Sequence, residues 1–119
     1  MRASTGLLLA TALAMIALPA AAKEARCAVT TTDGKYAGTC RFVSERGGSF
    51  SIEPVGRAAF FKHAKDEPGI TSISVGVAGA EAEVRGLTTS GVNSRWGAAK
   101  RSKSDRACWV GADFSVCAY

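Results

Sequence analysis

The sequence predicts an all-β domain, a small antiparallel barrel or sandwich of about seven strands stabilised by two disulfides. Three observations carry this expectation. Short β-prone runs alternate with Gly, Pro, Asn and Asp turn signals along the chain after residue 22. An Asp-Gly pair, Asp33-Gly34, separates two such runs near the start of that region, the strongest local signal for a hairpin. The four cysteines fall into two pairs, Cys27 with Cys40 and Cys108 with Cys117, each straddling a turn. Many short strands with closely spaced turns are the pattern of small barrels and sandwiches.

Residues 1–22 read as a secretory signal peptide. Arg2 precedes a run of 12 residues, 7–18, without a charged side chain, and Pro19-Ala20-Ala21-Ala22 follows before Lys23. A charged start, an apolar stretch and small residues at the cleavage site are the three parts of an export signal. A membrane-spanning helix needs roughly 20 apolar residues, so cleavage is expected after Ala22, with Ala20 and Ala21 as close alternatives, leaving no transmembrane anchor. The remainder, residues 23–119, is of a size for one disulfide-bonded β domain. Its destination is then periplasmic or secreted, where disulfides persist.

If Asp33 and Gly34 form a two-residue turn, Cys27 stands directly opposite Cys40, with Cα atoms ~4.5 Å apart as a non-hydrogen-bonded pair. Val29, Tyr36 and Phe42 share the core face of that hairpin. A turn centred on Ala112 and Asp113 likewise sets Cys108 opposite Cys117. Four cysteines allow three connectivities, of which the local one, Cys27 with Cys40 and Cys108 with Cys117, is expected. Between the two hairpins, Gly47-Gly48 breaks the chain before a strand at Ser49-Phe50-Ser51-Ile52-Glu53, which Pro54 ends. The stretch 57–64 is open between a buried strand and a helical turn. Ile73, Val75 and Val77 share a face, and a turn at Gly79-Ala80 brings Val84 and Ala82 against Val75 and Val77. Ser90-Gly91-Val92-Asn93 reads as a turn, and Ser94-Arg95-Trp96-Gly97 as a short strand or loop.

The inventory for catalysis is thin, and a non-enzymatic protein is expected. His63 is the sole histidine and stands near Lys62 and Lys65; it reads as an exposed loop residue. No nucleophile-elbow or zinc-protease motif occurs, the cysteine spacings suit hairpins rather than zinc knuckles, and no cofactor or metal is implied. Asp66 with Glu67 and Glu81 with Glu83 are neighbouring carboxylates, read as solvated faces rather than as an acid and base across a cleft.

Charge is informative. Fourteen basic and ten acidic side chains remain beyond residue 22, and the excess is concentrated in residues 95–106, where Arg95, Lys100, Arg101, Lys103 and Arg106 face only Asp105. With Trp96 beside them, these residues form the candidate binding surface: Arg95, Trp96, Lys100, Arg101, Lys103 and Arg106. Positive charge next to an aromatic ring suits an anionic glycan, a phosphate-bearing polymer or an envelope protein partner. An exported chain does not meet intracellular nucleic acid.

The segments Ser94-Arg95-Trp96-Gly97, Ala107-Cys108-Trp109-Val110-Gly111 and Val116-Cys117-Ala118-Tyr119, with Gly38-Thr39-Cys40 and Gly47-Gly48-Ser49-Phe50, resemble a class of short secreted proteobacterial proteins of unknown function. A weaker resemblance is to the periplasmic inhibitors of c-type lysozyme, small disulfide-containing β-barrels with a Ser-Gly-x-x-Tyr loop followed by a Trp-x-Lys-Gly segment. Here Ser90-Gly91 matches the first motif without its tyrosine, and Trp96-Gly97-Ala98-Ala99-Lys100 has the tryptophan and lysine in a different order around glycine. This second resemblance implies inhibition of lysozyme or another cell-wall hydrolase.

Overall fold

The computed structural model describes Gly6 and residues 22–61 and 69–119. The signal segment, His63, Asp66 and Glu67 lie outside the described residues, apart from Gly6 and Ala22. Eight strands occur among the described residues: β1 (Ala22–Thr30), β2 (Lys35–Ser44), β3 (Phe50–Pro54), β4 (Ile70–Ala78), β5 (Glu81–Thr88), β6 (Asn93–Arg101), β7 (Cys108–Val110) and β8 (Ser115–Ala118). Each pairs antiparallel with the next, and β8 returns to β1, closing a barrel. The all-β expectation holds, with eight strands where about seven were expected.

The extra strand length comes from β6. Read as a short strand or loop running into a solvated basic stretch, it instead continues through Arg101. Its charged residues lie on the outer face or at the strand end. Ala99, at an inward position, meets Ala82 of β5 across the ladder, so a residue of low strand propensity is tolerated where the barrel wall leaves little room.

Both cysteine pairings are present, Cys27–Cys40 and Cys108–Cys117. The last hairpin has the expected register, Cys108 opposite Cys117, with the Gly111 N–H donating to the Phe114 carbonyl at 2.8 Å across the turn. The β4–β5 hairpin also has its expected register, Val75 opposite Val84 and Val77 opposite Ala82.

The first hairpin corrects the expected register. Its loop spans residues 31–34, so Thr30 pairs with Lys35 and Cys27 stands opposite Gly38, not Cys40. The Thr31 hydroxyl oxygen accepts hydrogen bonds from the Asp33 and Gly34 N–H groups at 3.1 and 3.2 Å, and the Thr31 N–H donates to the Gly34 carbonyl at 2.9 Å. This side-chain turn removes Thr31 and Thr32 from the ladder. The slip is two residues, so every side chain keeps its face. The disulfide spans the diagonal, with Cα atoms 5.7 Å apart.

Inward residues fill the barrel: Val29, Ile52, Ile73, Val75, Val84 and Val116 are essentially inaccessible to solvent. The upper end is defined by the turns 31–34, 89–92 and 111–114 and by residues 55–61 after β3. The stretch 57–64, left open from sequence, is neither strand nor helix as far as it is described; Phe60 and Phe61 turn inward from it and are buried. The Phe60 N–H donates to the Ile70 carbonyl at 2.8 Å, and its ring meets Tyr36 edge-on at 5.0 Å. At the lower end, Phe42 and Phe50 stack at 5.1 Å, and Trp109 is 2% exposed beneath the Arg101 guanidinium.

Candidate functional site

The barrel divides the six residues of the sequence-derived surface between its two ends. Arg95 and Trp96 belong to the upper half of β6. Lys100 and Arg101 end that strand below, and Lys103 and Arg106 lie in the loop leading to β7. Trp96 and Arg101 are five residue steps apart in extended chain, about 16 Å at ~3.3 Å per residue. The tryptophan is therefore not the aromatic partner of the lower cations.

A bulge decides where Arg95 and Trp96 point. Val84 pairs with Gly97 but Arg85 with Arg95, leaving Trp96 as the extra residue in β6. Gly97 has φ of 126°, which admits glycine and strains other residues. Strict alternation from inward Ala99 and Gly97 would have carried the Arg95 side chain into the barrel. The inserted residue turns Arg95 outward, across from Arg85, and sends the indole into the mouth. Arg95 Nε then donates to Glu83 Oε1 at 3.1 Å, and Arg85 donates to the same oxygen at 2.9 Å. The Arg95 hydrogen bond, together with the charges of both arginines, holds the Glu83 carboxyl below the usual carboxylate range. Glu83 is thus an ionised member of a surface cluster and a poor proton donor. Glu81 and Glu83 lie on the outer face of β5, the former across from Lys100.

The lower rim is built around Asp105. Its Oδ2 accepts the Tyr119 hydroxyl at 2.7 Å, and its Oδ1 accepts the Ala107 N–H at 3.1 Å. The hydrogen bond to Asp105 raises the Tyr119 phenol above its ordinary value, with desolvation and the carboxylate charge adding to it. Ser102 Oγ accepts the Ser104 and Asp105 N–H groups, and the Cys108 N–H donates to the Asp105 carbonyl. The loop 102–107 is consequently fixed by its own bonds. Arg101 is fixed too: its guanidinium lies 4.7 Å from the Trp109 ring centre, and Nη1 donates to the Arg106 carbonyl at 3.3 Å. Lys100, Arg101, Lys103 and Arg106 are all exposed.

The upper end holds a hollow of about 520 Å³ that could not be found from sequence, because its walls come from six separate stretches of chain. Trp96, Phe61, Phe114 and Ile70 line its interior; Asp33, Asp113, Ser94 and the threonines of two turns line its rim. Trp96 meets Phe114 edge-on at 5.7 Å. The indole lies so close over Gly86 that a Cβ there would fall 2.7 Å from its atoms. Phe114 and Phe61 rest on Gly111 and Gly34 in the same way.

No group of three or more His, Cys, Asp or Glu side chains is placed to hold a metal ion among the described residues, and no helix there is long and apolar enough to cross a membrane. Compared with known proteins, the chain matches no family model, no curated protein and no solved structure.

Proposed function

We propose that this chain is an exported, non-enzymatic binding module of the bacterial envelope, periplasmic or secreted, whose lower rim engages an anionic glycan or phosphate-bearing polymer. One observation carries the reading. Lys100, Arg101, Lys103 and Arg106 are exposed around a loop whose single carboxylate, Asp105, is already engaged by Tyr119 and a backbone N–H. The loop is fixed by its own hydrogen bonds and the Arg101 guanidinium by Trp109 and the Arg106 carbonyl, so little loop entropy remains to be lost when a polyanion docks. Two disulfides fit the oxidising compartment that the reading requires.

Retention on a heparin column, a generic polyanion, tests it. A variant with Lys100, Lys103 and Arg106 changed to Gln is expected to elute at clearly lower salt than one with Lys35, Arg41 and Arg57 changed to Gln. Both carry the same net charge, so equal elution would reduce the surface to a non-specific effect of overall charge.

A second reading, inhibition of a cell-wall hydrolase, is favoured by one detail. Ser90 and Gly91 lie at the exposed tip of the β5–β6 hairpin, where the Thr88 and Ser90 hydroxyls are 2.9 Å apart. Micromolar inhibition of c-type lysozyme, lost in Ser90→Ala, would favour it; absence of inhibition would end it.

A further inference from the structure

We propose that the hollow at the upper end is a second binding site, for a non-acidic sugar ring. Its position in the mouth of a closed barrel is where such scaffolds place small ligands, and about 520 Å³ falls within the range of small-ligand pockets. The chemistry of the lining narrows the class.

The interior offers a flat apolar surface. Trp96 is half-buried, pressed on one side against Gly86 and braced by Phe114. Its position is set by backbone, because a glycine side cannot yield to the ring in the way a flexible side chain would. Phe61 and Phe114 are almost fully buried, at 5% and 6% exposure, so the indole is the aromatic surface most open to a ligand. Among the described residues, its Nε1–H donates to no protein acceptor.

The rim adds groups of the opposite kind. The Asp33 and Asp113 carboxylates come from two different turns and hold no hydrogen bond or ion pair among the described residues. Ionised carboxylates only accept hydrogen bonds, so a ligand seated between them must be rich in donors and cannot itself be anionic. Arg95 also borders the hollow, but Glu83 engages it from the outer face. An apolar ring face against the indole, with hydroxyl donors around its edge for the carboxylates and acceptors for the Ser94 hydroxyl and the indole N–H, describes a pyranose. A neutral sugar and an amino sugar both meet these terms; an acidic sugar does not.

Intrinsic fluorescence reports on the site directly, since Trp96 lines it and the other tryptophan, Trp109, is buried at the lower end. Full-length mature protein is titrated with glucose, N-acetylglucosamine, glucosamine and glucuronate. Saturable change with a neutral or amino sugar is expected, and the comparison of glucosamine with the neutral sugars tells which of the two the carboxylates favour. The double variant Asp33→Asn with Asp113→Asn, both exposed turn residues, is expected to weaken binding about tenfold or more, roughly 1.4 kcal/mol. Because the Trp96 variants lack the reporter, their binding is read by isothermal titration calorimetry: Trp96→Phe retains a ring and weak binding, whereas Trp96→Ala loses it, with near-ultraviolet dichroism confirming the fold. The Lys100, Lys103 and Arg106 triple variant binds sugar as the parent does, separating this site from the lower rim. No saturable change with the neutral and amino sugars, binding of glucuronate as tight as theirs, or full binding by the double aspartate variant would each overturn the proposal.

Discussion

Replacing each cystine by a pair of alanines tests how the barrel is held. The disulfides close loops with sequence separations of 13 and 9 residues. Taking those separations as loop lengths, the chain-entropy relation gives about 2.9 kcal/mol for Cys27–Cys40 and about 2.6 kcal/mol for Cys108–Cys117. Packing widens the gap. Cys27 and Cys40 are 2% and 0% exposed, Cys108 and Cys117 8% and 6%, so truncation leaves the larger void at the first pair. Removing both subtracts about 5.5 kcal/mol, against a total of roughly 5–15 kcal/mol for a domain of this size. Urea denaturation under non-reducing conditions measures each variant. The Cys27→Ala with Cys40→Ala protein is expected to be the less stable of the two, with its thermal midpoint lowered by roughly 10–20 °C. The variant lacking both disulfides is expected to be largely unfolded or marginal at room temperature. If either single-cystine variant unfolded within about 0.5 kcal/mol of the parent, the loop-entropy reasoning would be refuted. If the Cys108–Cys117 variant were the weaker, the packing argument would be.

Three further outcomes follow from named contacts. Trp109→Ala empties a buried indole site and is expected to cost roughly 3–5 kcal/mol in denaturant unfolding; a loss under about 1 kcal/mol would mean the lower end repacks freely. Because the Tyr119 phenol is raised by Asp105, its contribution to stability is present below the ordinary tyrosine range and lost as pH rises through the raised value. The parent should therefore lose stability more steeply than Tyr119→Phe on the alkaline side, and parallel curves would show that the latch adds nothing. Glu83 is shifted the other way: its contribution is present at neutral pH and lost as pH falls through the lowered value, so Glu83→Gln should flatten the acid limb of a stability–pH profile.

What was legible in the sequence was local. The Val75–Val84 and Cys108–Cys117 registers follow from alternation on either side of a short turn, and both stand as read. The first hairpin slipped because a threonine hydroxyl, invisible to an Asp-Gly rule, captured two backbone donors and lengthened the loop. The fate of Trp96 was out of reach for a different reason. Nothing near Trp96-Gly97 in sequence announces that β5 offers Gly86 as a bed for the indole, or that one inserted residue reverses which neighbour faces inward. The lower cations were visible as a cluster because Lys100, Arg101, Lys103 and Arg106 are close in sequence. Their separation from the tryptophan depends on β6 being a full strand.

Of the eight strand pairings, seven join neighbours in the chain and one, β1 with β8, joins its two ends. That seam is where the cystines meet: Cys27 stands opposite Ala118, and Cys117 opposite Ala28. Seven of the eight ladders join strands that follow one another along the chain and can form before β1 and β8 find each other, whereas that last pairing has the longest sequence separation of the eight. The seam is the one step that needs the whole domain. Oxidation of either hairpin stiffens a strand on one side of it in advance, so the order of thiol chemistry and closure sets how the barrel is completed. An oxidised chain should zip its ends together as two prepared edges, and a reduced one must hold them while both are still fraying.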